Sequence, residues 1–286
     1  MKDYKLNFNK YFKAFNIFSI ALIIISVALL MFKGLNFGVD FKGGTLIELR
    51  ATDKQITISQ LRQSFLNMNL GDVTVKEFGK NNDFLIKFEK KENNNSDLIG
   101  QVKEDLTKFV GPGFNFRRVE SVGPKVSTEL LKSGVIAIGL SLAAMLIYIW
   151  IRFEWQFSIG AILALLHDVL LTLGVFSLFS FEINLSIVAA VLTIVGYSMN
   201  DTVVIFDRIR ENLKKFSDIN IFDLTNISIN ETLSRTIITS ATTLLALVSI
   251  YIFGGQILKG FSLAMILGVI FGTYSSIYIA SPILIL

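Results

Sequence analysis

Six long apolar runs govern what this 286-residue chain can become. They cover 14–32, 134–151, 157–181, 185–206, 236–253 and 260–286, and each is close to the about 20 residues that a helix needs to cross about 30 Å of hydrocarbon. With 52% of all residues hydrophobic, the chain is far from a soluble balance. The pattern predicts an α-helical polytopic membrane protein with six transmembrane helices. Lys2, Lys5, Lys10 and Lys13 precede the first run as in a signal peptide, but the run is too long and no small-residue cleavage site follows, so it is expected to stay as an anchor. Short-loop cations set the orientation. Arg152 lies between the second and third runs, and Arg208, Arg210, Lys214 and Lys215 follow the fourth, whereas the opposite loops hold Glu182 and Lys259. The positive-inside rule then places both termini in the cytoplasm and the long segment after the first run in the periplasm.

That segment, 33–132, mixes polar and apolar residues as a soluble domain does. Apolar alternation predicts strands over 45–50, 73–78, 84–88 and 114–122, with Phe84, Ile86 and Phe88 on one face. Helices fit over 59–67, with Leu61 and Phe65 four apart, and over 97–110, where Asp97 would cap and Val102, Leu106, Phe109 and Val110 form a stripe. The order βαββαβ predicts an α+β, ferredoxin-like domain. Its carboxylates alternate with lysines as on a solvated surface, and it lacks His and Cys, so no enzyme is expected. In the whole chain, zero cysteines exclude disulfides and one histidine leaves little for a metal site; neither metal nor cofactor is expected. The net charge of +4 belongs with the inner anchors, and without a basic block interleaved with aromatics it does not point to nucleic acid.

The fourth run carries charge into the membrane. Only apolar and small residues fill 185–195, so the helix is in hydrocarbon before it reaches Asn200 and Asp201. Asp207 and Arg208 mark the water boundary, which puts Asp201 roughly 9 Å inside. A carboxylate there costs about 3 kcal/mol in lipid, so Asp201 is expected to face protein or a water-filled cavity and to carry a proton or ion role. Asp168 is deeper still, in the third run, and reads equally as a relay or a hydrogen-bond anchor; its neighbour His167 reads as a polar contact between helices. Ser228 and Glu231 have capping-box spacing, so the fifth helix is expected to begin near Ile229, with Arg235 at its cytoplasmic end as an anchor or as a partner for Asp201. The hydroxyls at Thr236, Thr239, Ser240, Thr242 and Thr243 point in too many directions for one wire, and most should bond backbone carbonyls. Gly268, Gly272, Ser276 and Ala280 repeat every four residues as a small-residue packing face.

Longer motifs run through the chain: FGVDFKGGT from Phe37, VGPKVS from Val122, RFEW from Arg152, LLHD from Leu165, GYSMNDTVVIFDRIREN from Gly196, NETLSRTIITSATTLL from Asn230, FGG from Phe253 and GTYSS from Gly272. In order and spacing the chain resembles the SecF family of bacterial protein-export subunits, within the RND superfamily. The FGVDFKGGT glycines lack any nucleotide-loop spacing and read as a turn. The resemblance implies a six-helix half of an RND-type bundle that pairs with SecD, works beside the SecYEG translocon on a translocating preprotein, and uses proton-motive force. It also implies that Asp201 and Arg235 are the proton-coupling residues, with Asp168 and Asn200 as a candidate secondary relay. Rival readings are an RND exporter of small molecules or lipids, and a passive translocon scaffold. The soluble segment joins the membrane helices through short glycine-bearing connections, so proton-driven tilts of those helices would be expected to move it.

Overall fold

The computed structural model describes residues 6–52, 56–68, 70–77, 82–88, 98–111, 113–216 and 219–284. In chain order the main elements are α1 (Phe12–Phe32), β1 (Gly44–Ala51), α2 (Ile58–Asn67), β2 (Val73–Glu77), β3 (Asp83–Phe88), α3 (Leu98–Val110), β4 (Phe114–Val122), α4 (Pro124–Arg152), α5 (Trp155–Leu178), α6 (Leu185–Lys215), α7 (Ile221–Phe253) and α8 (Gly255–Ser275). The chain divides into two compact units, one of residues 1–36 with 134–286 and one of residues 37–133.

In the second unit the strands form one antiparallel sheet in the order β2-β3-β1-β4, the ferredoxin-like arrangement that the βαββαβ pattern predicts. Ile47 and Leu49 of β1, Val75 of β2 and Phe84, Ile86 and Phe88 of β3 meet Leu61 and Phe65 of α2 and Val102 and Leu106 of α3 in a single core. Phe109 continues the α3 stripe by spacing yet is 56% exposed, because it lies in the last turn, beyond the final core contact at Leu106. Asp97, the loop 90–96 and Pro112 lie outside the described residues, as does the side chain of Val110. Arg50 and Asp83, opposite each other in the β1–β3 register, form a two-pronged pair at 2.5 and 2.6 Å. The glycine pair expected as a turn is one. Gly43 and Gly44 have φ of +78° and +119°, and a Cβ on Gly43 would press on Ser127, Pro124 and Val122 at 3.3–3.4 Å.

A capping box that sequence reasoning passed over starts α2: the Thr57 hydroxyl accepts from the Gln60 amide, and the Gln60 side chain accepts from the Thr57 amide. Thr57→Ala is expected to cost about 1 kcal/mol locally. Amide exchange at Gln60 in the full chain should then quicken about fivefold; unchanged exchange would remove the cap from the account.

Among the described residues, six helices are long and apolar enough to cross a membrane. Half or more of the spans in α5, α6 and α8 is buried, against 11–17% in α1, α4 and α7, so the first three form the centre of this chain. Both α6 and α7 outrun their apolar stretches. Between the fourth and fifth apolar runs lie two helix ends, α6 reaching Lys215 and α7 starting at its Asn220 cap rather than near Ile229. Ser228 is no cap; it sits inside α7 and donates to Leu224 O at 2.9 Å. The helices continue because Ile209 and Asn212 of α6 are buried at a seam that also buries Leu224, Ser228 and Ile229 of α7. The N-terminal segment lies along the same end of α7. Asn230 pairs with both backbone groups of Leu6, and Asn226 accepts from the Phe8 amide.

The small-residue stripe of α8 packs within this chain. A Cβ on Gly268 would sit 2.3 Å from Ile194 Cγ1, and one on Gly272 2.9 Å from Ser198 Cβ, so α8 lies directly against α6. After Ser275 the helix widens into a π turn, Ser276–Ala280, whose Ala280 carbonyl lies 2.8 Å from where a Cβ of Gly160 on α5 would be.

Candidate buried-carboxylate site

Two aspartates are buried among the three central helices and α7. Asp201 lies on the inner face of α6, in register with Ser198, Ile205 and Ile209, and is 3% exposed. It turns away from lipid, as its depth requires. Its hydrogen-bond partner is Ser240 of α7, whose Oγ donates to Oδ2 at the limiting distance of 3.5 Å and also pairs at 2.7 Å with Thr273 of α8. A carboxylate can accept about four hydrogen bonds, so Asp201 is thinly held. Arg235 is exposed on α7, and no ion pair joins it to Asp201 among the described residues. One turn nearer the start of α7, Glu231 accepts from Arg208 at 2.7 Å and from Asn212 at 2.8 Å, which ties α6 to α7.

Asp168 is the opposite case. It is fully buried on α5, and its carboxylate is shared among His167 Nδ1 on Oδ1 at 2.9 Å and the hydroxyls of Ser198 of α6 and Ser275 of α8, which donate to Oδ2 at 2.6 and 2.8 Å. One side chain thus joins all three central helices. Facing a carboxylate, Nδ1 is the donor, so Nε2 of the neutral ring holds the lone pair. That Nε2 is buried without a partner among the described residues. The ring stacks on Tyr274 at 5.8 Å between centroids, and the Tyr274 hydroxyl pairs with Ser19 and donates to Phe15 O of α1.

Asp168, through Ser198, engages α6 one turn from Asp201, but Asn200 is joined to neither aspartate among the described residues; it is exposed on the outer side of α6. Of the α7 hydroxyls, Thr239, Thr242 and Thr243 donate to carbonyls one turn back, as expected, whereas Ser240 serves Asp201 and Thr236 Oγ1 has no partner among the described residues. Ser198, Ser275 and Thr273 escaped sequence reasoning. Their only signal is a small polar residue inside an apolar run.

The model of the family described as "Protein export membrane protein SecD/SecF, C-terminal" matches residues 101–286, and that described as "SecD/SecF GG Motif" matches 28–54. The chain belongs to the SecD/SecF family. It is 45% identical over 277 residues to the protein translocase subunit SecF of Cereibacter sphaeroides, covering 94% of this chain and 85% of that one. The SecF of Vibrio alginolyticus is 42% identical, over 97% of this chain and 88% of its own. Among solved structures, SecDF of Thermus thermophilus, titled a translocon-associated membrane protein, superposes with a TM-score of 0.87 at 34% identity over 97% of this chain. This chain spans 38% of the length of that SecDF chain. A second SecDF structure, in a "super-membrane-facing form", gives 0.68 at 31% identity, over 98% of this chain and 38% of its own. The molecule is therefore a multi-pass protein of the bacterial inner membrane with a role in Sec-associated protein export, and its six helices are the SecF-like half of an RND-type bundle.

Proposed function

We propose that this chain uses proton-motive force to assist protein export together with a SecD-like second half, beside the SecYEG translocon and the translocating preprotein, and that it is not an enzyme. The two termini and the turn joining α6 to α7 are cytoplasmic, and residues 33–132 form the periplasmic domain. Asp201 is the proton carrier and Arg235 its counter-charge, with Asp168 and Asn200 as a secondary relay. The observation that carries this reading is the thin hold on Asp201: a carboxylate at bilayer depth, 3% exposed, with one hydrogen bond, at 3.5 Å, among the described residues. A carboxylate that served only as an anchor at that depth is expected to be well satisfied by donors. A group that must gain and lose a proton has to be stable in two states.

A second half is favoured by what this chain leaves outside. Asn200 and Arg235 are both exposed on spanning helices, and in lipid each would be costly. The chain is accordingly expected to copurify in mild detergent with a SecD-like six-helix partner, and a spin label at Asn200 should lose lipid accessibility on assembly. A proton-conducting homo-oligomer that forms with no such partner, its residue 200 still facing lipid, would contradict the reading. With the partner present, proton-driven export in vesicles compared between wild type and an Asp201 variant tests the proton role itself.

A further inference from the structure

We propose that the chain has a second proton-binding site at His167, in which Nε2 takes up a proton and Asp168 holds the charge that results. It rests on the proton-coupled reading for its purpose, though its existence can be measured separately. The geometry points to one atom. Asp168 already receives hydrogens from His167, Ser198 and Ser275, so its carboxylate has little room for a proton of its own without displacing a donor. Nε2 has a lone pair and no partner among the described residues. A proton from water that adds there turns imidazole into imidazolium, and the net charge of the His167–Asp168 pair goes from −1 to zero; its loss reverses both. Imidazole can donate at one nitrogen while it accepts a proton at the other.

The surroundings turn that charge into a change of contact. The titratable groups that face the ring are Asp168 on its own helix and Tyr274 on α8; behind Tyr274 stand the Ser19 hydroxyl of α1 and the Tyr278 ring of the π turn, and the Ser198 hydroxyl of α6 lies on Asp168. No lysine, arginine or glutamate pairs with the cluster among the described residues. The ring lies nearly parallel to Tyr274, with 27° between planes and centroids within the reach of a cation–π contact. A protonated ring is drawn both to the Tyr274 face and to the Asp168 carboxylate, so the proton tightens α8 on α5. Ser198, which shares Asp168, is one turn from Asp201 on α6. The site therefore biases the helix that carries the proposed carrier, as a positioning element.

The chain contains one histidine, so incorporation of [15N]histidine, with an affinity tag free of histidine, gives an imidazole spectrum with a single source. In lipid with its unlabelled partner half, Nε2 is expected to move from unprotonated to protonated shifts as pH falls while the complex stays assembled. His167→Asn keeps a donor for Asp168 where Nδ1 stands but cannot accept a second proton. It should assemble, lose roughly fivefold or more of the gradient-stimulated export, and flatten the pH profile of what is left; His167→Gln, which lacks the donor to Asp168, should destabilise assembly as well. An Nε2 that keeps one protonation state at every pH, which would mean a buried polar contact only, overturns the proposal. So does a His167→Asn complex with the wild-type pH profile. If Asp201→Asn exports normally while Nε2 still titrates, the coupling reading falls and the site stands; a silent Nε2 beside an inactive Asp201→Asn gives the reverse.

Discussion

Asp201→Asn should leave the chain inserted and joined to its partner while abolishing the gradient-dependent part of export. Asparagine keeps the shape of the side chain and retains an oxygen for the Ser240 hydroxyl, so the α6–α7–α8 contact through Ser240 and Thr273 survives. It cannot alternate between a charged and a neutral state, and a proton gradient can shift an equilibrium only through a difference in free energy between states that bind protons differently. Export by vesicles holding the variant complex should then be the same with and without an imposed gradient, at the level wild type shows without one. Arg235→Gln removes the counter-charge but not the carrier, so it should weaken the gradient response without erasing it. If Asp201→Asn vesicles respond to the gradient as wild type does, Asp201 is not the carrier.

Gly272→Leu should be among the most damaging single changes in the membrane unit. The first carbon of any side chain at 272 would fall 2.9 Å from Ser198 Cβ and 3.2 Å from its Cα, and serine is too short to move aside. The helices must part. Overpacking alone costs about 1–3 kcal/mol. Parting also draws Ser198 and Ser275 off Asp168 from opposite sides, and each donor lost from a buried carboxylate adds about 1–3 kcal/mol. The variant is expected to be scarce in membranes and to melt well below wild type in detergent. Gly272→Ala should show a milder version, because its Cβ meets the same Ser198 atoms without the bulk beyond; a Gly272→Leu protein as abundant and stable as wild type would mean that α8 does not lie on α6 as described.

Much of this architecture is written locally. A transmembrane span is a threshold on length and hydropathy, and the period-two strands of the soluble domain carry their own pattern, so both follow from neighbouring residues. Helix ends do not, because α6 and α7 continue past hydrocarbon on seams such as Asn212 with Ser228, 16 positions apart. The same locality misleads at Ser228 and Glu231, where a capping spacing falls inside an unbroken helix; at Thr57 and Gln60 an equally short signal is a true cap. Asp201 was legible because a charge among apolar residues is itself the signal. The organisation around Asp168 was not, since its donors lie 30 and 107 positions away and are ordinary serines.

The π turn after Ser275 has a meaning for how chains of this kind can change length. A π turn holds one residue more than an α-helical turn, and so marks a place where the helix has absorbed an insertion without losing its course. Removing one residue within Ser276–Ala280 would return the segment to an α-helix and leave Gly268, Gly272 and Ser275 facing as they do now. A deletion nearer the start of α8 would rotate those three together by about 100° and empty the α6 contact. The last span is thus tolerant of a length change at its end and intolerant of one before it, and an alignment of related chains should put its single-residue gaps after Ser275.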